Sequence, residues 1–327
     1  MVQGGPAVQV GVIVASVLGP WIGARLLVGA VVRLARRFGL SDLATGLTVV
    51  AMGTSTPELA VSVDAALKGP GDIAVANVLG SNVYNLAFVL GVVAFLKVIP
   101  VAESLLHCDG LALLASTLVA GLAILDLRVT RLEGAFLALA FVAYTAYLLR
   151  TTRTEEERTG AEASPDAVTR EVTERPSVRG RDVALLLGGL ALVLVSGDYT
   201  VLAASDLARS AGVSERVIGG TVVAAGTSTP EFAVSLVAPG RGSLGVSVGN
   251  VVGSNVFNVT GILGVGAVVR PLATAGTPFV TLGWLAVLSL AVVAALWTGR
   301  VLSRVEGGLL AASEVVRWVL GLLGLTG

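Results

Sequence analysis

Ten stretches of this chain each run for roughly 20 apolar residues, the length a helix needs to cross the hydrocarbon core of a bilayer. They lie near 8–32, 43–67, 73–96, 106–126, 131–149, 182–207, 214–237, 243–268, 278–297 and 302–324. The composition points the same way: 54% of the residues are hydrophobic and 13% charged, about half the charged share of a soluble domain. In lipid each backbone N–H and C=O must be satisfied within the chain, so such stretches become helices. The expected fold class is an all-α polytopic membrane protein with ten transmembrane helices. No basic residue precedes Arg25, so the first stretch lacks the n-region of a cleaved signal peptide and reads as a retained helix.

Several function classes drop out on composition. The 22 basic residues balance 22 acidic ones, which leaves no positive surplus for nucleic acid. A single cysteine, Cys108, and a single histidine, His107, exclude a disulfide framework, a zinc cluster and a Cys/His catalytic pair. No GxxxxGK[ST] loop is present, so nucleotide is not expected as the energy source. No cofactor is expected either.

One long polar segment, roughly Arg150 to Asp182, interrupts the apolar pattern and reads as a solvated loop or short surface helix. It divides the chain into a first five-helix unit (1–150), a polar loop (151–181) and a second five-helix unit (182–327). With the N-terminus outside, the inner connections hold 14 Lys and Arg and the outer ones 6. The positive-inside rule then places both termini outside and the central loop in the cytoplasm, in a membrane of prokaryotic type.

The two units share a near-copy of one segment. Residues 45–91 and 218–264 align without a gap at an offset of 173, with 26 identities in the 46 positions from 46 to 91. GTSTPE and GSNVxN occur in both copies at the same spacing. Five predicted crossings separate the copies, so they enter the membrane from opposite sides. Two inverted five-helix repeats are a construction of secondary transporters, whose substrate sites lie near the bilayer midplane.

The repeat's only matched acids are Glu58 and Glu231. A carboxylate deep in a hydrophobic span costs about 3 kcal/mol on insertion scales, and no Lys or Arg lies at that depth in the repeats to offset it. A bound cation is the natural partner. Pro57 and Pro230 remove a helical hydrogen bond beside each acid, freeing the carbonyls of Gly53 and Gly226 near Ala51, Thr54, Ala224 and Thr227. Thr54 and Ser55 share a helix face with Glu58, as Thr227 and Ser228 do with Glu231. Ser81, Asn85, Ser254 and Asn258 are placed facing the site, whereas Asn77, Asn82, Asn250 and Asn255 read as packing or helix-break residues. All these donors are hard oxygens, suited to Ca²⁺ and Na⁺ rather than to zinc or copper.

GTSTPE followed by GSNVxN, present twice, resembles the α-repeats of the sodium/calcium exchanger branch of the calcium/cation antiporter superfamily. The resemblance implies Na⁺/Ca²⁺ antiport, with Ca²⁺ held by Glu58, Glu231 and main-chain oxygens of Thr54 and Thr227. It implies sodium sites that draw on Ala51, Ser55, Ser81, Ala224, Ser228 and Ser254, with Asn85 and Asn258 around the middle of the cluster. Some relatives, including potassium-dependent ones, carry an aspartate where Asn258 stands, which argues against potassium coupling here. The family mechanism implies that helices 1 and 6 slide across an eight-helix core. Arg25 and Asp198 occupy equivalent positions in those helices and read as snorkelling to opposite interfaces rather than pairing.

The expected substrates are therefore Ca²⁺ and Na⁺, the expected surroundings a lipid bilayer, and a monomer suffices for transport because one chain carries both repeats. Proton-coupled exchange of Ca²⁺ or another divalent cation is the alternative, since buried glutamates also bind H⁺. A passive cation channel fits the two-fold repeat within one chain less well. An intramembrane enzyme fits least, for want of a nucleophile–base pair.

Overall fold

The computed structural model describes residues 6–69, 71–100, 108–162, 180–210, 224–274, 278–299 and 301–322. Residues 218–223 of the second repeat, 163–179 of the central segment and His107 lie outside them.

In chain order the helices are α1 (Pro6–Phe38), α2 (Asp42–Thr45), α3 (Ala51–Thr54), α4 (Thr56–Lys68), α5 (Gly71–Tyr84), α6 (Leu90–Leu96), α7 (Gly110–Ile124) and α8 (Arg131–Glu162). There follow α9 (Gly180–Ser210), α10 (Ala224–Thr227), α11 (Thr229–Gly240), α12 (Leu244–Val256), α13 (Leu263–Val269), α14 (Pro278–Gly299) and α15 (Arg304–Leu322). Wider π-helical turns at Gly46–Val50, Asn85–Val89 and Phe257–Ile262 join α2 to α3, α5 to α6 and α12 to α13. Among the described residues, six helical runs are long and apolar enough to cross a membrane: Leu18–Ala35, Gly71–Leu96, Arg131–Thr151, Gly180–Tyr199, Leu244–Val269 and Pro278–Thr298.

The two repeat-bearing runs form the centre. Of their residues 83% (Gly71–Leu96) and 89% (Leu244–Val269) are buried, against 22% for Arg131–Thr151 and for Gly180–Tyr199, which face outward. Central helices must be largely apolar all round, and most polar residues of these two are the repeated ones. α1 and α9 pack as a pair along one side, against α11. A Cβ added at Gly23 would lie 2.7 Å from the Gly189 carbonyl oxygen, so only glycine allows the two backbones this approach. Arg33 Nε donates to Asp182 Oδ1 at 2.7 Å and ties the ends of the pair. Arg25 and Asp198, farther along, are exposed and form no ion pair with each other.

Two short antiparallel ribbons lock the halves together. β1 (Ile99–Pro100) pairs with β4 (Val301–Leu302), and β2 (Arg128–Val129) pairs with β3 (Leu272–Ala273). The register Ile99↔Leu302 becomes Val129↔Leu272 when 173 is added to one member and subtracted from the other. The helices that leave these ribbons start alike. In α8, Thr130 N–H donates to Glu133 Oε2 at 2.8 Å while Glu133 N–H returns to Thr130 Oγ1. In α15, Ser303 and Glu306 make the same reciprocal capping box.

Two expectations change. The stretch 43–67, read as one span, is a broken helix: α3 ends at Thr54, the chain turns at Ser55 (φ −82°, ψ 16°), and α4 begins anew. Ser228 (φ −87°, ψ 10°) divides α10 from α11 in the same way. Pro57 and Pro230 sit in the first turn of the new helix, where a missing N–H removes no intrahelical bond, so each proline restarts a helix rather than bending one. The central segment also begins as helix, since α8 runs on unbroken from the fifth stretch to Glu162.

Candidate cation site

The breaks at Ser55 and Ser228 determine where the charged groups stand. Each restarted helix carries its glutamate in the first turn, Glu58 in α4 and Glu231 in α11, where the unpaired N–H groups and positive end of the helix favour a carboxylate. Both glutamates are completely buried. Among the described residues neither is in an ion pair.

Each carboxylate is held instead by the opposite half. Ser55 Oγ donates to Glu231 Oε1 at 2.6 Å, and Ser228 Oγ donates to Glu58 Oε1 at 2.9 Å. The two bonds exchange under the offset of 173. Ser254 Oγ lies 3.0 Å from Ser55 Oγ and 3.4 Å from Glu231 Oε1, which completes a small hydroxyl cluster at that carboxylate. The second carboxylate oxygens, Glu58 Oε2 and Glu231 Oε2, are buried with no hydrogen-bond partner. Ser81 Oγ, both amide atoms of Asn85, and Asn258 Oδ1 share that condition. A buried polar atom without a partner costs on the order of 1–3 kcal/mol. Here five such oxygens belong to residues singled out from the repeat. Two carboxylates, a hydroxyl and two amide carbonyls form a hard-oxygen donor set of the kind that binds Na⁺ or Ca²⁺.

The remaining residues fall into two groups. Ala51 and Thr54 are buried at the start and end of α3 and Thr227 at the end of α10, each within four residues of the break. Ala224 opens α10, and its side chain lies outside the described residues. The Thr54 hydroxyl is directed to Asn250 Oδ1 at 3.0 Å and to the carbonyls of its own turn. The Gly53 carbonyl, which the sequence left free beside Pro57, already accepts from Thr56 Oγ1 at 2.8 Å. The proline therefore does not present that oxygen unpartnered, because the preceding threonine replaces the lost N–H.

Asn77 and Asn250 do more than fill space. Asn77 Nδ2 donates to the Glu58 carbonyl at 3.1 Å and to Ser62 Oγ at 3.0 Å, and Asn250 Nδ2 does the same to Glu231 and Ser235 at 3.2 and 3.0 Å. These amides brace the main chain that carries each acid. Ser62 and Ser235 were not singled out in the sequence, although they match at the offset of 173 and lie four residues beyond the acids. An aromatic wall also adjoins the Glu231 side. Phe88 stacks on Tyr84 (centroids 5.1 Å apart) and meets Phe232, the residue after Glu231, at 5.6 Å.

The family described as sodium/calcium exchanger protein matches residues 8–150 and 182–324. The chain belongs to the sodium/calcium exchanger family. Its place is in the calcium/cation antiporter superfamily, whose members are integral membrane transporters rather than enzymes. Among its relatives, the inner membrane protein YrbG of Escherichia coli (strain K12) is 36% identical over 241 residues, 73% of each chain. The sodium/calcium exchanger MaX1 of Methanosarcina acetivorans is 28% identical over 304 residues, 84% of this chain and 87% of its own. Among solved structures, the sodium-calcium exchanger NCX_Mj, soaked with Na⁺ and Ca²⁺, superposes with a TM-score of 0.79 at 29% identity. That match covers 95% of this chain and 98% of that one. Family membership accounts for the repeat, and the fold match extends it over both halves.

Proposed function

We propose that this chain exchanges Na⁺ for Ca²⁺ across a membrane by alternating access, with the cations bound between Glu58 and Glu231. One observation carries the reading. The two fully buried glutamates are each fixed at one oxygen by a serine of the opposite half and left without a partner at the other. Two carboxylates balance one Ca²⁺, and the surrounding neutral oxygens suit Na⁺ once Ca²⁺ departs. Ca²⁺ is assigned to Glu58, Glu231 and the main-chain oxygens of Thr54 and Thr227. Na⁺ and the central cluster are assigned to Ala51, Ser55, Ser81, Asn85, Ala224, Ser228, Ser254 and Asn258.

Ten crossings as two inverted five-helix repeats, 1–150 and 182–327, complete the proposal. The ribbons support it. In a ten-crossing chain β1 and β4 both lie on one side of the membrane, and β2 and β3 both on the other. The offset of 173 carries one ribbon onto the other, which is how a two-fold axis lying in the membrane plane acts. Two basic side chains at equivalent positions reach neighbouring, not identical, points of the two copies: Lys97 Nζ donates to the Pro239 carbonyl, and Arg270 Nη1 to the Leu67 carbonyl, one residue off the exact offset. The bias of Lys and Arg then assigns the first of these sides and the 151–181 segment to the cytoplasm, and the bacterial relative favours a prokaryotic membrane.

Proton-driven exchange is the second reading, favoured by the unpartnered Oε2 atoms, since a carboxylate buried without a cation can take a proton instead. Radioactive Ca²⁺ uptake into proteoliposomes separates the two. Uptake that requires an outward Na⁺ gradient is the expected result. Uptake that follows an outward H⁺ gradient alone would overturn Na⁺ coupling, and uptake with no gradient would overturn antiport.

A further inference from the structure

Two matched pairs of buried asparagines stand on the central helices: Asn82 and Asn85 on the first repeat, Asn255 and Asn258 on the second. Their sequences match at the offset of 173, but their hydrogen bonds do not. Asn82 Nδ2 donates to the Asn255 main-chain carbonyl at 3.0 Å. A carbonyl oxygen only accepts, so this bond fixes which end of the Asn82 amide faces it. Asn82 Oδ1 must then point the other way, where it accepts from Asn258 Nδ2 at 3.0 Å. Because Asn82 Oδ1 also only accepts, Asn258 must present its NH₂ there. Its own Oδ1 is thereby turned away from Asn82, buried and without a partner. One backbone carbonyl thus orients two side-chain amides in series.

The reverse chain is not made. Asn255 Nδ2 donates instead to the Val251 carbonyl of its own helix at 2.8 Å. Asn255 Oδ1 has no partner, and neither amide atom of Asn85 has one. Asn85 is thus free to present either N–H or C=O, whereas Asn258 is locked. Asn258 follows Ser254 by one turn on the helix face that touches Glu231.

We propose that Asn82, read from the sequence as a packing residue, is a positioning residue that holds the Asn258 amide with its carbonyl oxygen toward the bound cation. The two repeats then contribute unequal amides to one site: a fixed oxygen from the second and an adjustable group from the first. Fixing the oxygen in advance removes the need to reorient the amide when the ion arrives, which raises affinity without adding a ligand. This inference rests on the cation-site reading above.

The test is the Ca²⁺ dependence of uptake by the full chain in proteoliposomes, for the parent, Asn82→Ala, Asn258→Ala and the double variant, with thermal unfolding of each in detergent. Asn82→Ala is expected to raise the half-saturating Ca²⁺ concentration severalfold, up to about tenfold, with little change in maximal rate. In the Asn258→Ala background the same substitution is expected to add nothing, because no amide remains to be held. Equal shifts in both backgrounds, or no shift in either, overturn the proposal. Asn82→Leu keeps the volume without the polar ends and replaces Asn82→Ala if the latter does not fold. Should Glu58→Gln and Glu231→Gln retain uptake, the site reading itself fails. If they lose uptake while the Asn82 effect proves independent of Asn258, only this inference fails.

Discussion

The two helix breaks and the two asparagine-bearing π turns are built from matched sequences, yet only the breaks behave as copies. At Ser55 and Ser228 the backbone angles agree within 6° and each serine holds the other half's glutamate. At Asn85 and Asn258 one amide is engaged and the other has no partner. A break is set locally, by a proline in the first turn and the groups beside it. An amide's orientation is set by whichever acceptor is nearest, and that depends on packing around the turn. The surroundings differ: Tyr84 and Phe88 pack with Trp318, while their counterparts are Phe257, tilted against Phe141, and Gly261.

If the breaks are equivalent, Glu58→Gln and Glu231→Gln should each reduce Ca²⁺ uptake by more than about a hundredfold while the chain still inserts and folds. A difference above roughly tenfold between them would break the equivalence. The amides should be unequal. Asn258→Ala is expected to raise the half-saturating Ca²⁺ about tenfold and Asn85→Ala about twofold in the same uptake titration. Matching values would return the π turns to symmetry.

Smaller effects test how far the two-fold extends into the scaffold. A Cβ at Gly307 would stand 2.6 Å from the Gly91 carbonyl oxygen, and one at Gly134 would stand 2.7 Å from that of Gly264. Gly307→Val and Gly134→Val should therefore each destabilise by about 1–3 kcal/mol, read as lowered unfolding midpoints in detergent. Thr130→Ala and Ser303→Ala each remove one capping box and should cost about 1 kcal/mol apiece. Unequal losses within either pair would locate where the copies diverge.

Much of this was legible in the sequence because its cause is local. Apolar length predicted a helical chain, and the repeat singled out the acids, serines and prolines that stand at the breaks. The prolines, read as removing a hydrogen bond within a span, sit instead in the first turn of a restarted helix, where the missing N–H breaks no intrahelical bond. The free Gly53 carbonyl failed for a similar reason, since Thr56 supplies the donor. Ser62 and Ser235 could have been found from the repeat alone. Asn77 and Asn250 could not, because their role depends on main-chain carbonyls 19 residues away in sequence.

By itself the sequence determined the helical class, the two-fold repeat and the identity of the buried polar groups, because periodicity, hydropathy and residue type are properties of the chain. Only the tertiary structure decided which serine holds which glutamate, which oxygens are left over, and that Asn82 turns Asn258 but not Asn85. Hydrogen bonds between elements far apart in the chain depend on distances of about 3 Å, and no pattern along the sequence encodes those.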